Sequence, residues 1–136
     1  MHGLPSQIYG LISDNKTIKI PLIETSGEIL RTKQKEEIEE YFSSNIINRY
    51  GLAEAGIVAY QMPNFDSLSV IDFHTYVEVD KNGEIIITTL NNDIMPLIRY
   101  RTGDYCSKEG IIDGILHIKM NSGREHCIAS YNGILL

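Results

Sequence analysis

The sequence predicts an α/β portion followed by antiparallel β: a strand–helix–strand unit over residues 1–60, then a meander or partial β-barrel over 61–136. Three observations carry this. Short apolar runs at Ile18–Glu24 and Ile46–Tyr50 flank a charged, helically periodic stretch starting at Thr32, which suits a parallel pair joined by a crossover helix. From Leu68 onward apolar and polar residues alternate, the period of a half-buried strand. Asn82-Gly83 then separates two such runs, the strongest short-range hairpin signal.

Taken in order, Leu4, Ile8, Leu11 and Ile12 fall at helical spacing, so a helix is expected over 4–14, with Pro5 tolerable in its first turn and Gly10 weakening it. IKIPLIE (18–24) is a short buried strand in which Pro21 marks an edge or a strand end. TSGE (25–28) is a polar turn. Thr32 can cap a helix running to about Ser43, with Ile38, Tyr41 and Phe42 on one face. Lys33, Lys35, Glu36, Glu37, Glu39 and Glu40 cover the rest, a charge run that fits a solvated face better than a binding site. In 68–80, Ile71, Phe73, Thr75, Val77 and Val79 share one face, and Asp72, His74, Tyr76, Glu78 and Asp80 the wet one. EIIITTL (84–90) returns from the hairpin, 91–93 turns, and PLIRYR goes out again until RTGD (101–104) ends that strand in a turn. Strands near 115–120 and 127–130 complete the chain.

At 136 residues the chain is one domain by length, and 43% hydrophobic content lets it build a core. A net charge of −6 argues against a nucleic-acid partner, because phosphate backbones call for a basic face. It leaves room for a small anionic ligand held by local donors. No apolar run approaches the roughly 18 residues of a membrane span. The N-terminus MHGLPSQIYG has no basic region ahead of a hydrophobic block, so neither a secretory signal nor a membrane partner is expected. Cys106 and Cys127 form no CxxC, and free, partly buried thiols in a cytoplasmic protein are expected.

His74 is expected to face solvent, His2 to be terminal, and nothing pairs His117 or His126 with a nucleophile. Ser26 lies in TSGE without a GxSxG elbow, which discounts hydrolase chemistry. HExxH, EF-hand, GxGxxG and P-loop patterns are missing from the sequence. What remains are three segments expected at strand ends: TSGE, RYGLAEAG (49–56) and RTGD. Open α/β sheets bind ligands beyond the carboxyl ends of their strands. Tyr50 offers an aromatic face for a base, Gly51 close backbone approach, and Glu54 a carboxylate for Mg²⁺ beside phosphates. Asp104 can accept from ribose hydroxyls. Arg99 and Arg101, close together, need an anion or water. The plainer alternative is a solvated strand face and three ordinary turns.

"YGLAE", followed downstream by "GEIIITTLNNDIMPLIRYRTGD", resembles the adenylate-forming superfamily of acyl-CoA synthetases, and within it the phenylacetate-CoA ligase and capsular-polysaccharide-associated branch. "TSGE" with its following acidic helix is similar to the same branch, and the likeness covers nearly the whole chain in the family's order. It implies part of the large N-terminal domain of such an enzyme, with 1–60 in the nucleotide-binding subdomain and 61–136 reaching the hinge segment. By the same resemblance, Gly27 and Glu28 lie against adenine, Tyr50 stacks on it, and Gly51 and Ala53 belong to the nucleotide-binding loop. Glu54 binds Mg²⁺ with the phosphates, Asp104 holds the ribose, Arg124 of "SGRE" opens the hinge, and Arg101 supports the strand end in an ion pair.

The implied ligands are ATP or AMP, Mg²⁺, a carboxylic acid and CoA as co-substrate. The departures are specific. The family's Gly/Ser/Thr-rich phosphate loop and its catalytic lysine have no counterpart in these residues. Ala53 stands where Thr or Ser usually touches phosphate, and Glu125, His126 and Cys127 follow Arg124 in place of an Asp pair. Only Cys106 follows RTGD, where the branch often carries a cysteine cluster. The expectation is therefore a fragment of an ATP-dependent acid–CoA ligase, inactive alone and prone to self-association through apolar surface. The alternative is a diverged, non-catalytic remnant serving as a binding module.

Overall fold

A computed structural model describes residues 1–13, 18–62, 65–122, 130–131 and 134–135. Its core is a nine-stranded sheet in the order β1-β2-β3-β4-β5-β9-β8-β7-β6. β1 (His2–Gly3), β2 (Leu22–Thr25) and β3 (Asn45–Leu52) run parallel. α1 (Pro5–Tyr9) and α2 (Thr32–Phe42) are the crossovers between them. Ile8 and the α2 residues Ile38 and Phe42 close over Ile23 and Ile46 of the strands, which is the smaller apolar cluster. The predicted strand–helix–strand unit is present. α2 begins one residue earlier than a Thr32 cap would place it: Arg31 is the cap, with no side-chain capping bond, and Ser43 ends the helix in the left-handed region at φ 47°.

α1 is shorter than expected, and Gly10 caps it. Residues 14–17 lie outside those described. The strand expected over 18–24 begins only at Leu22, directly after Pro21, whose missing N–H cannot join the ladder.

From β3 onward the sheet is antiparallel: β4 (Gly56–Gln61), β5 (Leu68–Val70), β6 (Thr75–Val79), β7 (Glu84–Thr89), β8 (Tyr100–Ile112) and β9 (Ile115–Ser122). β10 (Ser130–Tyr131) and β11 (Ile134–Leu135) form a separate pair, and 127–129 of the predicted last strand lie outside the described residues. Side chains from β3 through β9, among them Tyr50, Val58, Val77, Ile87, Cys106 and Ile118, share one apolar core, so the sheet curls into a partial barrel. Among the described residues no helix is long and apolar enough to cross a membrane. Cys106 is free and buried in this core, and burial pushes its thiol up to about 11.

Two strand expectations need correction. The alternating run 68–80 is two strands, not one. Ile71 accepts backbone bonds from His74 and Thr75, and the turn so made sends β5 to β4 and β9 but β6 to β7. Phe73, in that turn, is 77% exposed rather than on the inner face. Residues 96–99 are not strand, because Arg99 takes a left-handed conformation at φ 50° immediately before β8.

The Asn82-Gly83 hairpin forms as predicted, with Gly83 at φ 89°. Asp80 locks it, accepting from the backbone N–H groups of Glu84 (3.0 Å) and Asn82 (2.8 Å) and from Arg101 (2.9 Å). These bonds, the Glu84 N–H first, hold the Asp80 carboxyl below the usual carboxylate range. A depressed folded-state value stabilises the fold above the unfolded value of about 3.9, and that stabilisation disappears as pH falls through the folded value. Asp80→Asn therefore lowers the urea midpoint at neutral pH, and the gap from the parent chain narrows steadily on acidification below about pH 4. Urea titrations at a series of pH values check this.

Candidate functional site

RTGD is a β-bulge and not a turn, and the difference positions the site. Glu84 pairs with Tyr105 and Ile86 with Arg101, so two steps along β7 are matched by four along β8. Thr102, Gly103 and Asp104 are the slack. Gly103 takes φ 76°, open to glycine without steric cost. The Thr102 hydroxyl donates to the Ile85 carbonyl at 2.9 Å and accepts from the Asp104 N–H at 3.1 Å, replacing ladder bonds the bulge has broken. The Glu84 carboxylate accepts from the Gly103 N–H at 3.3 Å and from Arg101, which also reaches Asp80. Arg101 thus clamps the bulge from outside. Arg99 pairs separately with Glu78 at 3.1 Å. Bulges bend a strand and re-aim its side chains. Here the bulge turns Asp104 inward, where it is 7% exposed.

Tyr50 meets it there. The phenol hydroxyl of Tyr50, on β3, donates to Asp104 Oδ2 at 2.7 Å. A second bulge, at Tyr50/Gly51, sets the tyrosine's direction. The close approach expected of Gly51 is to its own hairpin: a Cβ there would stand 2.8 Å from the Gly56 carbonyl oxygen. Ala53 and Glu54 form the turn that follows, and the Tyr100 hydroxyl donates to Glu54 Oε1 at a long 3.4 Å. On the third segment, Thr25 is buried and donates to Asn48 Oδ1 at 3.2 Å, while Gly27 takes φ 81°. The Glu28 carboxylate accepts from the Ser6 N–H (3.0 Å) and hydroxyl (2.8 Å), so it caps the first turn of α1.

Gly27, Glu28, Tyr50, Gly51, Ala53, Glu54 and Asp104 all line one open cavity of 1310 Å³ between the helices and the barrel. Arg124 lies outside the described residues. The cavity also takes in Asn48, Arg49, Gln61, Asp66 and Lys119, which sequence reasoning did not single out. Of these, Arg49 is committed to Glu24 at 3.1 Å, and Tyr60 donates to the same carboxylate at 2.8 Å. Burial first, then that bond, raises the Tyr60 hydroxyl. His74 is half-buried beside the β3–β4 turn. His117 is a core histidine, its ring nitrogens bonded to Ser67 (2.9 Å) and Ser69 (3.4 Å). Among the described residues no three His, Cys, Asp or Glu side chains converge on a metal position. Any cation at Glu54 would therefore draw the rest of its shell from a ligand and water.

A hydrogen bond to a charged acceptor is worth about 1.5–3 kcal/mol. Tyr50→Phe, which keeps the ring and deletes the donor, should cost stability in that range by urea unfolding. Tyr100→Phe, losing only the long contact to Glu54, should cost clearly less.

No family model matches the chain. A curated relative, the indoleacetate–lysine synthetase of Pseudomonas savastanoi, is 28% identical over 109 residues, covering 75% of this chain and 28% of its own. Among solved structures, 2-hydroxyisobutyryl-CoA ligase in complex with 2-HIB-AMP and CoA superposes with a TM-score of 0.72 at 17% identity, over 99% of this chain and 38% of that one. ATP-bound MatB from Rhodopseudomonas palustris gives a TM-score of 0.67 at 15% identity, over 99% of this chain and 32% of that one. The fold is thus mixed α/β with a large, mostly β sheet, matching part of the N-terminal domain of adenylate-forming enzymes. The chain spans well under half the length of each of these proteins.

Proposed function

We propose that the large cavity is the adenosine site of an ATP-dependent acid ligase, to which this chain contributes the base, sugar and metal contacts. Gly27 and Glu28 border the adenine, the Tyr50 ring stacks on it, and Asp104 accepts from the ribose hydroxyls. Gly51 and Ala53, with little or no side chain, keep the loop low beneath the nucleotide. Glu54 holds Mg²⁺ beside the phosphates, a fit to an ion that commonly takes one or two carboxylates and completes its shell with phosphate and water. When bound, that ion neutralises charge on the phosphoryl group. Arg124 opens the hinge.

One observation carries the reading: the hydroxyl of an aromatic residue and a buried acceptor, on separate strands, meet at 2.7 Å on the wall of the cavity that all three segments reach. Adenosine asks for that adjacency, a flat base bonded to a sugar with two neighbouring hydroxyls. In the whole enzyme the acid's carboxylate would displace pyrophosphate to give an acyl adenylate. The acceptor is CoA if the enzyme follows the cytoplasmic phenylacetate-CoA ligase branch. A second reading, an amide-forming ligase with an amine acceptor, is favoured by the match to a synthetase named for indoleacetate and lysine.

Calorimetry tests the site. AMP should bind the chain, and Asp104→Ala or Tyr50→Ala should weaken it about tenfold or more, about 1.4 kcal/mol. Unchanged affinity in both variants contradicts the assignment. The 136 residues alone should form no acyl-CoA from ATP, acid and CoA, since loss of even one preorganised donor costs about 3 kcal/mol of transition-state stabilisation. Measurable turnover would overturn that part.

A further inference from the structure

The carboxylate assigned to the ribose already carries a hydrogen bond. Asp104 Oδ2 accepts from the Tyr50 hydroxyl at 2.7 Å, and the two residues are 7% and 8% exposed. An O–H to carboxylate bond of that length is charge-assisted and among the stronger ones a protein makes. Both partners are held from behind. The Asp104 backbone N–H donates to the Thr102 hydroxyl at 3.1 Å, inside the bulge that Arg101 clamps through Glu84. Tyr50 stands at the other bulge, where a Cβ on Gly51 would lie 2.8 Å from the Gly56 carbonyl oxygen. Phenol and carboxylate are therefore in place before a ligand arrives.

This sets how the carboxylate meets a pair of neighbouring hydroxyls. An ionised carboxylate has two oxygens, each with room for more than one donor. When it can turn, it gives one oxygen to each hydroxyl, and the two are held alike. Asp104 is pinned. The phenol occupies part of Oδ2, draws on its negative charge and fixes the plane of the group. A hydroxyl that reaches Oδ2 shares a crowded, partly neutralised acceptor, whereas Oδ1 keeps the fuller charge.

We infer that the Tyr50 hydroxyl makes the site read one ribose hydroxyl far more strongly than the other; the inference rests on the adenosine reading above. The hydroxyl that donates to Oδ1 carries most of the sugar recognition, and the one left to Oδ2 carries little. Tyr50 is then a specificity-determining residue through its oxygen, separately from the stacking of its ring. The site accepts adenosine nucleotides altered at one ribose position and rejects those altered at the other.

Calorimetry of the chain with AMP, 2′-deoxy-AMP and 3′-deoxy-AMP reads this directly. One deoxy nucleotide should bind about tenfold or more weakly than AMP, the loss of a hydrogen bond to a charged acceptor, and the other within about threefold of AMP. Tyr50→Phe keeps the ring, releases Oδ2 and lets the carboxylate turn, so the two deoxy nucleotides should come within about twofold of each other. That variant gives up a bond the fold leans on. Tyr50→3-fluorotyrosine is therefore the second: ring and bond stay, the phenol becomes the stronger donor, and the gap between the two deoxy nucleotides should widen. Equal losses in the parent chain overturn the inference. A gap that survives Tyr50→Phe, or that the fluorinated phenol fails to widen, overturns it as well. Failure of AMP to bind, or AMP affinity indifferent to Asp104→Ala, removes the adenosine reading and this inference with it. AMP binding that needs Asp104 while both deoxy nucleotides lose equally removes this inference alone.

Discussion

The bond from Tyr50 to Asp104 is the constraint on which the rest depends. β3 and β8 are not neighbours: β4, β5 and β9 lie between them in the sheet. Four strand spacings laid flat put two such residues about 19 Å apart. A 2.7 Å contact between their side chains is possible only because the sheet curls back on itself. The curl in turn encloses the apolar core running from Tyr50 to Ile118, and it leaves the Tyr50 ring and the Asp104 carboxylate together on the wall of the large cavity. Burial of apolar surface drives the closure. The hydrogen bond then makes a buried carboxylate tolerable, since an unpaired one would carry a large desolvation cost.

Closing a sheet this way needs local irregularity, and the chain supplies it at both ends of the contact. The bulge at Tyr50/Gly51 works because Gly51 has no Cβ to strike the returning strand. The bulge at 102–104 works because Gly103 tolerates φ 76° and the Thr102 hydroxyl takes over two backbone bonds. Arg101, drawn to Glu84 and Asp80, ties that second bulge to the Asn82-Gly83 hairpin. Hairpin, clamp, bulge and acceptor form one connected unit from Asp80 to Asp104. The paired arginines serve structure: Arg101 holds the bulge and Arg99 holds β6 through Glu78.

Much of this was legible in the residues. Asn82-Gly83 marked its hairpin, because glycine readily takes the positive φ that Gly83 adopts there. The helical spacing of Ile38, Tyr41 and Phe42 located α2, with Ile38 and Phe42 buried. Gly27 and Glu28 of TSGE, all of YGLAE and Asp104 of RTGD line one cavity. RTGD reads as a turn in the sequence because Gly-Asp serves turns and bulges equally, and only the partner strand decides between them. The division of 68–80 was invisible for a related reason: alternation continues through Ile71–His74, and the break is made by backbone bonds to the Ile71 carbonyl that no side-chain pattern announces. Glu28 as the cap of α1 could not be read either, since Ser6 lies 22 residues away. The same is true of His117, whose serine partners become neighbours only when β5 pairs with β9.

The most direct measurement of the central claim is a crystal structure of the chain soaked with AMP. The account predicts a base lying on the Tyr50 ring beside Gly27, with ribose hydroxyls on the Asp104 carboxylate and the hydroxyl of Tyr50 still bonded to it. A nucleotide bound away from both residues, or one that enters only after that contact has parted, would contradict it.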